Sequence, residues 1–255
     1  MYDKEDPVAR YYDFSFGIST EDEINYFKEI ANETQGPIVD LCCGTGLLAK
    51  ELETKIKKVY AIDRSESMLN KLKIEVKDKN IEIIQSEMNC FSIPEKVYRI
   101  ICRDAFFHNL NHIDQRKTLS RVNNALEING IFAFNIHVPN PSFLCFAGSD
   151  DAKKFNERNQ YIIPNTNNLL KISQSLNIDY DNQIIYTSLK FEIFDNNKRK
   201  LSEEYSSWES RYTFPYEMFY LLELEGFRIR NAYGNYNKSK WNNKSMLIIE
   251  AEKIS

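Results

Sequence analysis

Asp40, Cys42, Gly44 and Gly46 fall close together in the stretch Ile38 to Leu52, IVDLCCGTGLLAKEL, and Asp63 follows 17 positions after Gly46. Glycines in a turn at the carboxyl end of an apolar run let a backbone come close to a ligand where a β-carbon would collide. An acid at the end of the next apolar run is placed to accept hydrogen bonds from both hydroxyls of a ribose. The pair suits an adenosine-containing cofactor, and the plain alternative is a helix–strand packing turn. A dinucleotide fold would show GxGxxG, which seats a pyrophosphate on a helix N-terminus. Cys42, Cys43, Gly44, Thr45, Gly46, Leu47, Leu48 and Ala49 provide neither the leading glycine nor that spacing, which argues against a nicotinamide dinucleotide. Further along, Arg103 and Asp104 close a fourth apolar run, and His108 and His112 follow it. The histidines are the natural general-base candidates because their pKa lies near neutrality, with His108 preferred as the catalytic residue.

The elements that must position these residues alternate between two periods. STEDEINYFKEIANETQG sets Ile24, Phe27, Ile30 and Ala31 on one helical face, with Ser19 or Thr20 as cap and Gly36 as stop. Strands are expected at PIVDLC, KVYAID, IEIIQSE, YRIICRD and IFAFNIHV, and helices at GLLAKELETKIKK, from Ser65 through Val76, and from about Ile113 to Leu126. Short apolar strands alternating with helices make a parallel sheet covered on both faces. After Val138 the rhythm changes. PNPSFLCFAGSDD reads as a loop, then residues up to Phe214 alternate in strand fashion, with turns at Asp179 to Asn182 and Asp195 to Lys198. A helix, PYEMFYLLELEG, and two strands, FRIRNAYG and SMLIIEAE, resume the first pattern, with the loop NYNKSKWNN between the strands. The expected fold is α/β, a doubly wound, mostly parallel sheet with helices on both faces and a small antiparallel insertion after strand five. Its domains are 1–138 with 215–255, and 139–214 as the insertion.

Composition narrows the function classes. A net charge of −4 and a pI near 5.6 leave no electrostatic footprint for nucleic acid. No apolar run is long enough to span a membrane, and MYDKEDPVARYYDF has neither the basic nor the apolar region of a secretory signal, so the expected location is cytoplasmic. The five cysteines, at 42, 43, 90, 102 and 145, are odd in number and lack CxxC or Cys/His spacing, so no metal is expected. The partner expected is a small molecule.

IVDLCCGTGLL resembles motif I of the class I S-adenosylmethionine-dependent methyltransferases, an acid followed by a GxGxG-like turn in which Cys42 stands at the first glycine. AIDRSESML is similar to the family's next segment, with Asp63 as ribose acid and Arg64, Ser65 and Met68 after it; IIQSEMNCFSIP resembles the adenine segment. The resemblance implies that Asp40 lies near the methionine amino group, that Glu87 and Met88 meet adenine, and that Arg103 and Asp104 lie where methionine meets the acceptor. Glu87 stands where aspartate is more usual. ARYYDF is similar to a segment that many small-molecule members place over the cofactor, which would let Tyr11 and Tyr12 bury the methionine portion; the other reading is an arm packed on the domain. The insertion would supply the acceptor side, and its aromatics either line that pocket or form the inner face of a small sheet. The implied activity is methyl transfer from S-adenosyl-L-methionine to a small-molecule N or O acceptor. A regulatory module that only binds the cofactor, and a methyltransferase acting on a macromolecule, are the alternatives.

Overall fold

The computed structural model describes residues 6–16, 20–52, 58–76, 80–241 and 246–254. Ser19 as a cap, the expected helix beyond Leu52 and the end of the NYNKSKWNN loop therefore lie outside the described residues. The chain divides into two compact units, Ser19–Pro139 with Tyr212–Ser255, and Met1–Ile18 with Asn140–Arg211. The sequence reading grouped the N-terminal segment with the first of these.

The larger unit is a seven-stranded sheet. Its strands are β1 (Ile38–Leu41), β2 (Val59–Asp63), β3 (Ile81–Gln85), β4 (Val97–Cys102), β5 (Leu126–His137), β10 (Phe227–Tyr233) and β11 (Met246–Lys253), in the order β10-β11-β5-β4-β1-β2-β3. The β3-to-β5 part is parallel, and β11 runs antiparallel between β5 and β10. Alternation along each strand sends side chains to two separate cores. Ile38, Val59, Ala61 and Ala133 meet Phe27, Ile30, Leu48 and Leu72 from the helices α2 (Glu21–Asn32), α3 (Leu47–Leu52) and α4 (Glu66–Glu75). On the other face Val39, Leu41, Phe132 and Phe134 meet Leu119, Val122, Met218 and Leu222 from α5 (His112–Ala125) and α7 (Pro215–Leu224). Thr20 caps α2, its hydroxyl accepting from the Glu23 N–H. The face of α2 is wider than the apolar pattern implied, since Glu23 and Tyr26 are buried and Ile24 only half-buried. β5 starts at Leu126, ahead of the expected strand IFAFNIHV, and a register shift against β4 absorbs the extra residues.

The second unit is a four-stranded antiparallel sheet, β6 (Asn156–Ile162), β7 (Leu169–Asp179), β8 (Ile184–Phe194) and β9 (Lys200–Arg211), with turns where the sequence placed them. Two helices in it were not expected. α1 (Pro7–Ser15) is capped by Asp6, and its Val8 and Tyr11 pack with Leu170, Ile172, Leu189 and Phe191. α6 (Pro141–Ala147) replaces the loop read at PNPSFLC; Asn140 caps it by accepting from the Phe143 N–H, and Pro141 opens it because a first-turn residue needs no N–H.

Candidate functional site

The turn after β1 alternates in backbone sense. Cys42, Gly44 and Gly46 have φ of 61°, 57° and 77°, and Cys43 and Thr45 between them do not share the left-handed region. Cys42 thus adopts, with a side chain, a conformation that glycine takes at no steric cost. Its thiol lies against that of Cys102 at the end of neighbouring β4, and this contact together with burial pushes the Cys42 thiol well up, so it is a protonated packing group. Gly46 owes its type to the protein's own packing as well as to its φ. A β-carbon there would sit 2.2 Å from Leu72 Cδ1 on α4.

Asp63, at the end of β2, is the hub of this turn. One carboxylate oxygen accepts from the Gly44 N–H at 2.9 Å and the other from the Ser65 N–H at 2.8 Å. A carboxylate offers about four lone-pair sites, so two bonds hold it in place and leave capacity for a diol. Burial raises its pKa against these two bonds and against Arg64. Asp40, the third of the four buried residues of β1, is 2% exposed and accepts from the Ala49 N–H at 3.1 Å. Burial pushes its pKa up to about 7, opposed by Arg103 and the Ala49 bond and reinforced by Asp63. Arg103, just past β4, reaches Glu23 of α2 at 3.4 Å, and Glu23 also accepts from the Tyr236 hydroxyl at 3.1 Å. Arg64 and Glu87 form an open ion pair at 3.6 Å, while the Met88 side chain is turned into the core, where its sulfur accepts from Asn109. Met68 is likewise buried on α4, and its N–H is capped by Ser65. Tyr12 lies in the other unit, half-buried beside the cluster of Tyr11 and Phe191.

The carboxyl ends of β1, β2 and β4 therefore gather Asp40, Cys42, Gly44, Asp63, Arg64 and Arg103, the place where open α/β sheets bind ligands. The donor chemistry fits an adenosine cofactor: an oriented, partly solvated acid stands beside a turn whose backbone runs close to it. Of the histidines, His108 is half-buried in a short 3-10 turn with its ring 4.5 Å from that of Phe107, and His112 is exposed at the start of α5. The histidine found beside a carboxylate is one the sequence reading passed over. His137, the last residue of β5, has Nε2 3.5 Å from Asp104 Oδ1. Asp104 takes φ of 46°, receives the Asn135 side-chain amide, and donates its own N–H to Asn135 Oδ1 at 2.9 Å. Burial would raise the Asp104 pKa, but His137 and Asn135 outweigh it and hold the carboxyl below its usual range; Asp104 in turn raises His137. The only available signal was that Asn135 and His137 share a strand face near the end of β5. Among the described residues no group of three or more His, Cys, Asp or Glu side chains is disposed to hold a metal ion.

The turn and acid just described lie inside residues 38–130, which match the family described as methyltransferase domain. A Geobacillus sp. (strain WCH70) protein, whose methyltransferase name is itself an inference, is 32% identical over 115 residues, 43% of this chain and 46% of the relative. The match thus spans about half the length of that curated relative. Beyond that segment the chain is similar in fold to solved structures. An S-adenosylmethionine-dependent methyltransferase from Clostridium acetobutylicum superposes with a TM-score of 0.77 at 18% identity, over 97% of this chain and 98% of the other. The sugar N-methyltransferase KedS8 from Streptoalloteichus sp. gives 0.72 at 9% identity, over 96% and 92%. At these identities the likeness establishes the class I methyltransferase fold. No helix among the described residues is long and apolar enough to cross a membrane.

Proposed function

We propose that the chain is an S-adenosyl-L-methionine-dependent methyltransferase acting on a small-molecule N or O acceptor. The observation that carries the reading is Asp63, held at the end of β2 by the Gly44 and Ser65 N–H groups within a matched methyltransferase domain. When bound, the cofactor supplies a sulfonium methyl that is electrophilic already, and its carbon–sulfur bonding pair leaves with the sulfur. The protein's task is then to bind, orient and exclude water. Asp63 accepts from the ribose hydroxyls with the lone pairs its backbone bonds leave over. Asp40, beside Arg103, answers the charged amino and carboxyl groups of the methionine portion. Glu87 accepts from the adenine amine. A small-molecule acceptor is supported by the likeness to a sugar N-methyltransferase and by a net charge of −4, which does not favour a nucleic acid. We assign selection of the acceptor to the antiparallel unit and burial of the methionine portion to Tyr12.

Asp63→Ala should weaken S-adenosylmethionine binding at least tenfold, because the charge-assisted bonds lost contribute roughly 1.5 to 3 kcal/mol. Isothermal titration of parent and variant, with a nicotinamide dinucleotide as the non-binding control, makes the comparison. Equal affinity of the two would remove the ribose assignment, and turnover against a panel of amines and phenols then tests the transfer itself.

A further inference from the structure

Asp104 and His137 come from different strands and meet because of register. Cys102 of β4 lies opposite Phe134 of β5, so the residues just beyond each partner face one another at the carboxyl edge of the sheet. Asn135 is fully buried, and both ends of its amide are spent on Asp104. An amide buried at that cost fixes the orientation of the carboxylate, and the carboxylate stands 3.5 Å from one nitrogen of the imidazole. The remaining ring nitrogen belongs to a side chain that keeps 62% of its exposure. A histidine serving only to fill the core would be covered, and one serving only the surface would not stand on a carboxylate held by a fully buried asparagine.

The charged groups around the pair point the same way. Arg103 from β4 and Glu23 from α2 act on it, with the Tyr236 hydroxyl bonded to Glu23 and the Phe107 ring 6.1 Å from the imidazole. Asp104 and Glu23 both favour positive charge on the imidazole. We propose that His137 is the base that takes the proton from the acceptor's nucleophilic atom, with Asp104 and Asn135 as positioning residues; this rests on the methyl-transfer reading above. With Nε2 turned toward Asp104, the tautomer protonated at Nε2 is favoured and Nδ1 carries the lone pair that accepts. The acceptor's N–H or O–H bond breaks with its electron pair left on the acceptor atom, which becomes the nucleophile. The proton forms an imidazolium stabilised by Asp104 and then passes to water.

The chain has three histidines, so the ring Cε1–H signals can be assigned by single substitutions and titrated by NMR. The two ligands compared are S-adenosylhomocysteine, which is neutral at sulfur, and sinefungin, which bears an ammonium beside that position. His137 should titrate about half a pH unit or more lower with sinefungin, because a nearby positive charge disfavours the imidazolium. Asp104→Asn should lower the His137 pKa with either ligand. For any acceptor turned over from the amine and phenol panel, His137→Gln should cut kcat about a hundredfold or more without moving the cofactor KM. Identical His137 titration with both ligands bound, or parent kcat in His137→Gln, overturns the assignment. Failure of either ligand to bind overturns the methyl-transfer reading first, and the proposal with it.

Discussion

Cys42 bears a side chain in a left-handed conformation, which costs an L-residue about 1 to 2 kcal/mol, and recovers part of that through its contact with Cys102. Cys42→Gly removes strain and contact together, so stability and cofactor affinity should both stay near the parent. Cys42→Ala keeps the strain and loses the contact, and should be the less stable of the two. Leucine there would be forced toward Cys102 in the interior, an overpacking penalty of about 1 to 3 kcal/mol that a thermal melt would detect. A loss of turnover in Cys42→Ala with cofactor binding preserved would instead indicate a covalent role. Asp40 makes a different prediction. Its folded pKa, about 7, lies above the ordinary 3.8, so the folded chain holds the proton more tightly than the unfolded one. Stability in the ligand-free protein then falls as pH rises between about 4 and 7. Asp40→Asn can still accept from the Ala49 N–H, and should raise the melting temperature by several degrees at pH 8 and by little at pH 4. Parallel curves for parent and variant across that range would show that the Asp40 carboxyl is not perturbed.

At the scale of elements, Gly46 ties the motif turn to α4. A methyl group at this position meets Leu72 and a φ of 77° at once, so Gly46→Ala should cost about 2 kcal/mol or more in denaturant unfolding. Leu72→Ala relieves the collision and leaves the backbone strain. The double variant should therefore be less destabilised than the sum of the singles by about 1 kcal/mol or more, and simple additivity would refute the contact. This contact also marks the limit of what the sequence shows. The glycines were legible as a close-approach turn, yet only the fold reveals that Gly46 is approached by Leu72. The central strands of the larger sheet, β1, β2, β4, β5 and β11, were readable because their apolar runs are buried on two faces. α1 and α6 were not, since YYDF and FLCF carry aromatics at positions that suit a strand, a loop or a helix equally, and their caps, Asp6 and Asn140, count only once the next residues turn. Asp40 and Asp63 were legible because each ends an apolar run. His137 depends on pairing between strands distant in sequence, which no local pattern carries.

At the scale of the molecule, the division into units changes which deletion is informative. Removing residues 139–214 alone would leave α1 without Leu170, Leu189 and Phe191, and so expose Val8 and Tyr11. Removing 1–18 and 140–211 together leaves the larger unit with all the proposed adenosine contacts. That variant should still bind S-adenosylmethionine by calorimetry. Methyl transfer should disappear, because an acceptor that is not positioned loses a proximity advantage of roughly 7 to 11 kcal/mol. Transfer at the parent rate would place acceptor recognition within the larger unit.

The pairing of β11 with β5 also sets a timetable during synthesis. Met246 lies opposite His137, so 109 residues must be added before the first partner of that strand exists. At roughly 5 to 20 residues per second, the edge carrying Phe132, Phe134 and Asn135 stays open on the ribosome for about 5 to 20 seconds. An unpaired strand edge of that kind is a template for wrong partners. The smaller unit, finished at Arg211, is complete in chain before the larger one can close, and the nascent protein depends on whatever shields β5 in the interval.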